Sequence, residues 1–158
     1  MKIIAGVLLS MVAVVLIYLT AARPPAVRLM TGPGEDSALA QVAGCWRFAG
    51  LSLRRFGLDD LEVRLGVEGT PLMTRRRALV ILDSAMNRRL RLKWWAATSG
   101  RDDYLIVWSN GHSGLDVRAS LRNDSLVGRA YSTSDFMEIL EPPPSRVRAS
   151  RIACPLEQ

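Results

Sequence analysis

One histidine and two cysteines are the scarcest reactive side chains in this 158-residue sequence, and they define what chemistry it could support. His112 stands in the run Asn110-Gly111-His112-Ser113-Gly114, with Asp116 close behind. Ser113, His112 and Asp116 are the residue types of a hydrolytic triad, but neighbours on one loop rarely bring a nucleophile, an imidazole and a carboxylate into line. No Gly-x-Ser-x-Gly elbow supports the triad. A lone histidine without a second His or a nearby Cys is a poor metal site. No glycine-rich loop leads from a strand into a helix to cradle a phosphate. The carboxylate pairs Asp59-Asp60 and Asp102-Asp103 each precede a strand, where aspartate commonly serves a turn. These observations point away from an enzyme and imply no cofactor and no metal.

The charge is basic, +6, and nearly all of it is arginine, since Lys2 and Lys93 are the only lysines. Such a balance suggests acidic partners. The arginines, however, are scattered and interleaved with carboxylates, as solvated faces usually are, so no nucleic-acid partner is expected. The run Arg75-Arg76-Arg77 lies beside a strand and reads as a solvated loop tip or, alternatively, as a site for an anionic head group or polymer. Hydrophobic residues make up 49% and charged residues 23%, enough for one packed core.

The elements that must hold these residues begin with an export pattern. Lys2 precedes an apolar run from Ile3 to Leu19, Ala21 and Ala22 follow, and Arg23-Pro24-Pro25 ends any helix. Residues 1–22 are therefore a signal peptide or, being long enough to span a bilayer, a membrane anchor. Both place the remainder outside the cytoplasm, in the periplasm or tethered to the membrane facing it. There, Cys45 and Cys154 read as one disulfide. Residues 23–40, rich in proline, glycine and small polar residues, form a linker, with a short helical turn at Leu39, Ala40 and Val42.

From Gln41 to the end, residues 41–158, the hydrophobic period is two. Gly44, Trp46 and Phe48 share one face. Leu51 to Arg54 is a weak continuation, and Leu61 to Glu68 alternates cleanly. Ala78 to Leu82, Leu90 to Trp94 and Tyr104 to Trp108 are further strands. Leu115 to Arg122 and Ser125 to Thr133 form a hairpin about Asn123-Asp124. Phe136 to Pro144 is an extended crossing, and Val147 to Ala153 is the last strand. The fold class is all-β: a small antiparallel up-and-down barrel of about eight strands, since closure brings the two cysteine-bearing strands together and removes exposed edges.

Gly44-Cys45-Trp46 resembles the Gly-x-Trp motif of the lipocalin and calycin group. Asp124 to Ala130, with the late Arg151-x-x-Cys154, is similar to small bacterial exported proteins. The lipocalin resemblance implies that Trp46 plugs one end of the barrel and that an arginine of the last strand lies across it. Strand parity separates Arg148 from Arg151. Cys45 faces opposite to Trp46, so a bonded Cys154 and Arg148 face outward together, which leaves Arg151 on the Trp46 side. Gly44, Trp46 and Arg151 are thus the structural set.

The inward set is read as Trp46, Phe48, Leu90, Leu92, Trp94, Ile106 and Trp108. Of these, Phe48, Leu92, Trp94, Ile106 and Trp108 are the candidates for binding a small apolar or amphipathic molecule in the barrel mouth. If that bulk fills the barrel, the protein is instead an interaction or structural module of the envelope. Trp94-Trp95 places one indole inward and one outward. Whether the N-terminal segment is an address or an anchor is checked by the intact mass of natively expressed protein: cleavage gives a chain beginning near Arg23, retention one that keeps Ile3 to Ala22.

Overall fold

The computed structural model describes residues 27–29, 34–50, 58, 60–70, 73–90, 92–98, 102–109, 112–134 and 144–155. Eight strands run in chain order: β1 (Gly44–Gly50), β2 (Leu61–Thr70), β3 (Met73–Ile81), β4 (Leu92–Ala97), β5 (Asp103–Ser109), β6 (Ser113–Arg122), β7 (Ser125–Ser134) and β8 (Ser145–Ile152). Each pairs antiparallel with the next, and β8 returns to β1, closing an up-and-down barrel. The expected hairpin is β6–β7. Its turn residues Asn123 and Asp124 hold φ of 45° and 57°, the positive values that a two-residue turn needs to match the strand twist.

Two short helices complete the described part: α1 (Glu35–Val42) and α2 (Ser84–Arg89). Helix α1 begins in the stretch expected to be linker and is longer than the turn expected there. Ala38, Leu39 and Val42 are buried because they close one end of the barrel. Tyr104 donates a hydrogen bond from its hydroxyl to the Ala38 carbonyl (3.2 Å), fastening the helix to β5. Burial, with Asp102 and Asp103 nearby, raises the pKa of this phenol, which keeps it a donor.

Cys45 and Cys154 are disulfide-bonded with their Cα atoms 5.2 Å apart. The bridge joins positions 109 residues apart, a loop for which chain-entropy reasoning gives at most ~4–5 kcal/mol. It also fits an oxidising, extracytoplasmic compartment.

Arg151 sits where parity puts it. Its guanidinium lies 4.4 Å from the Trp46 ring and donates to the Gln41 and Ala43 carbonyls at 2.6 and 2.9 Å. Trp46 donates its indole N–H to the Val42 carbonyl at 2.8 Å. The last carbonyls of a helix have no intrahelical partner, so Arg151 and Trp46 together cap α1. Gly44 lies between them with φ 123°, and a Cβ there would meet Arg151 Nη1 at 3.1 Å. Glycine is needed on both counts.

The core is aromatic. Trp46, Phe48, Trp95, Tyr104 and Trp108 are all fully buried, with Val63, Leu65, Ile81, Ile106, Leu115 and Leu126 among them. Phe48 meets Trp108 edge-on, ring centroids 5.6 Å apart.

The register of β4 corrects the expected inward set. Trp95 pairs with Ile106 and is fully buried, so Lys93, Trp95 and Ala97 face inward, whereas Leu92 and Trp94 face outward. Leu92 is 55% exposed. Trp94 lies under Arg76, whose guanidinium is 4.0 Å from its ring. Two physical causes fix this choice: the Trp95 indole donates to the Ala78 carbonyl across the seam (3.1 Å), and the outer indole gains a cation–π partner. The arginine run is likewise part of β3 rather than a loop tip. Arg77 pairs with Glu35 at 3.3 Å in the first turn of α1.

Among the described residues no helix is long and apolar enough to cross a membrane. The run Ile3 to Ala22, the continuation Leu51 to Arg54 and most of the crossing Phe136 to Pro144 lie outside the described residues.

Arg151→Ala removes two carbonyl partners and the stacked guanidinium, and should cost about 2 kcal/mol or more. Arg148, exposed and held by one 3.3 Å bond to Ser125, should cost under about 1 kcal/mol on the same change. Denaturant midpoints of the two variants, compared at equal m-value, check this order.

Candidate functional site

Helix α1 closes the barrel end where β1 starts and β8 finishes. The opposite end, the mouth, is where β1, β3, β5 and β7 finish. Helix α2 crosses it between β3 and β4. Asp83 starts this helix as its N-cap, accepting from the Met86 amide at 3.0 Å.

Helix α2 fills a split in the sheet. Strands β3 and β4 pair at Arg77↔Trp95 and Ala78↔Trp94, toward the α1 end. Closer to the mouth, Asn87 of α2 supplies what a ladder would. Its Oδ1 accepts from the Ile81 backbone amide (3.1 Å), and Lys93 donates its ammonium to both the Asn87 side chain and its carbonyl. Lys93 therefore turns inward but is not left unpaired. Burial lowers its pKa, because desolvation disfavours the charged form.

Beside this bridge lies a cavity of about 150 Å³, lined by Leu58, Arg89, Leu90, Trp108, Ser109, Ser113, Gly114 and Leu115. Trp108, 1% exposed, is part of this lining, and its buried indole Nε1 has no acceptor among the described residues. An orphaned buried donor costs roughly 1–3 kcal/mol, so an acceptor delivered there is favoured. Three leucines, two serines and an arginine in the lining make the site amphipathic.

Of the five residues expected to bind a ligand, only Trp108 lines this cavity. Phe48 and Ile106 are fully buried packing residues, and Leu92 and Trp94 are on the outer face. Leu90, placed in the inward set, does line it. Leu58, Leu115, Ser109, Ser113 and Arg89 were missed as site residues. Leu115 and Ser113 carry a signal in retrospect, since both fall on the inward parity of β6.

His112 is exposed and Ser113 begins β6, where the Ser113 carbonyl accepts from the Ser109 hydroxyl at 3.2 Å. Among the described residues no group of three or more His, Cys, Asp or Glu could hold a metal ion. Asp60 occupies a turn with φ 56°, and Asp103 accepts from the Ser120 hydroxyl at 2.6 Å on the barrel exterior. Comparison of the chain with known protein families, curated proteins and solved structures returned no match.

Asn87→Ala strands the Ile81 amide and takes from the Lys93 ammonium one of its two acceptors, leaving only the backbone carbonyl of residue 87, and should cost about 1–3 kcal/mol near neutral pH. The sign of its pH dependence follows from Lys93. The folded-state pKa is lowered below 10.5, so between the two values the unfolded chain binds more protons and stability from this group rises with pH. The gap between wild type and Asn87→Ala should therefore narrow as pH approaches 10.5, measured by urea unfolding at each pH.

Proposed function

We propose that this chain is an exported, non-catalytic, lipocalin-like barrel that takes the end of a small apolar or amphipathic molecule into its mouth. It acts in the periplasm or held to the membrane by its N-terminal apolar run, and needs no cofactor. The observation that carries this reading is the cavity lined by Trp108 with Leu58, Leu90 and Leu115, together with the buried Trp108 indole N–H, which has no acceptor among the described residues. Pockets that enclose whole small molecules are typically ~300–1,000 Å³. A cavity of about 150 Å³ suits a short acyl or aryl end, with the remainder of the ligand outside. The orphan indole favours ligands whose enclosed end carries a carbonyl, carboxylate or hydroxyl oxygen.

A second reading, a structural or interaction module of the envelope, is favoured by the packed interior, where Trp46, Phe48, Trp95, Tyr104 and Trp108 leave the barrel filled. The two are separated by titrating the full chain with octanoate and with octanol, followed by calorimetry and tryptophan fluorescence. Mouth binding predicts saturable one-site behaviour with at least one of the two, weakened fivefold or more by Leu90→Glu and unchanged by Trp94→Phe on the outer face. Absence of saturable binding to both, or equal binding by Leu90→Glu, rejects the mouth site and leaves the filled-barrel module.

A further inference from the structure

The outer face of β6, β7 and β8 carries an arrangement that the scatter of arginines along the sequence conceals. Arg118 of β6 is directly opposite Arg129 of β7, and Arg129 is directly opposite Arg146 of β8. Three guanidinium-bearing residues thus stand in one row across three adjacent strands. Like charges in directly opposed positions destabilise a sheet by repulsion. Among the described residues none of the three forms an ion pair with a carboxylate.

Beside the row is a groove of about 360 Å³, whose lining includes Arg28, Arg118, Arg129, Ser120, Tyr131 and Asp103. Arg28 comes from the segment before α1, pinned to the barrel by the bridge of Leu29 to Thr98. Arg118 is held in place by Tyr131, with its guanidinium 5.1 Å from the ring, and its buried Nε has no acceptor among the described residues. Fixing an arginine by stacking rather than by a carboxylate leaves its charge free for an incoming anion. Asp103, bonded to Ser120, is the one carboxylate in the lining among the described residues, where three arginines oppose it.

We propose that this groove is a binding site for a phosphate group, gripped by Arg118 and Arg129 with Arg28 and Arg146 flanking. Planar guanidinium donors match phosphate oxygens in pairs, and a dianion balances the excess of two positive charges. Asp103 repels the anion from the Ser120 edge and so orients it toward the arginine row. The same chemistry serves a soluble phosphate monoester or a phospholipid headgroup.

The test uses the full chain at low salt. One arm titrates it with glycerol phosphate by calorimetry. The other measures co-flotation with phosphatidylcholine vesicles with and without phosphatidylglycerol, so that binding through the N-terminal apolar run, common to both vesicle types, is subtracted. The double variant Arg118→Gln/Arg129→Gln should lose at least tenfold in one or both arms, with the apo thermal midpoint recorded as a folding control. If the double variant does not fold, the exposed Arg129→Gln alone should lose threefold or more. Arg122→Gln, beyond the row, should change either arm less than twofold. Glycerol phosphate binding assigns a soluble ligand, and binding only to anionic vesicles assigns a headgroup. No binding in either arm, or an equal loss with Arg122→Gln, overturns the proposal.

Discussion

The cap that Arg151 and Trp46 place on α1 is the interaction on which the rest of the barrel depends. It joins three distant parts of the chain at one point: the end of α1, the start of β1 and the end of β8. It satisfies three carbonyls left open at the end of α1: that of Val42 in the buried interior, and those of Gln41 and Ala43 at the rim. With them satisfied, Leu39 and Val42 can be buried over the aromatic core rather than exposed. The disulfide ties the same two strands at the same end, on the outer side of β1. One lock restricts the unfolded chain and the other stabilises the folded one, so their contributions differ in kind.

Much of this was legible in the sequence because it depended on parity, and parity follows from a period of two. The closed sheet, the β6–β7 hairpin, the cysteine pair and the side of β8 that faces Trp46 all follow from alternation plus one covalent constraint. Where alternation was ambiguous, the inference failed. In Leu90-Arg91-Leu92-Lys93-Trp94-Trp95 the apolar residues favour one phase until the last position, and the sheet takes the other. Packing of Trp95 against the core and its bond to Ala78 outweigh the cost of exposing Leu92, and Asn87 makes an inward Lys93 tolerable. That compensation comes from α2, a helix of six residues with too short a period to read, although Asp83 is an N-cap signal. Helix α1 was hidden for a related reason: its apolar positions are few, and only contact with the barrel end makes them a buried face.

The candidate site was less legible than the fold. A binding cavity is a space left between elements, so its lining comes from a loop residue, a helix end with the residue after it, and two strands rather than from one motif. Trp108 was identifiable as an inward aromatic, but its role depends on an unmade hydrogen bond, which is a property of three-dimensional packing. The arginine row was invisible for the same reason. Arg118, Arg129 and Arg146 lie in three separate strands, each in a stretch that looks like an ordinary solvated face.

These features divide the molecule by function. The α1 end concentrates the covalent bond, the cation–π contact and the helix cap, which leaves little of the interior there free to move. At the mouth, the β3–β4 ladder gives way to a single asparagine bridging a backbone amide and an ammonium. Along the β3–β4 seam, local opening is favoured where the bonding is sparsest, which is toward the mouth. The small cavity lies at the mouth ends of β5 and β6, on the far side of Trp108 from the cap on α1. The packed interior and a ligand-accepting mouth are thus compatible in one barrel, with Trp108 as the boundary between them.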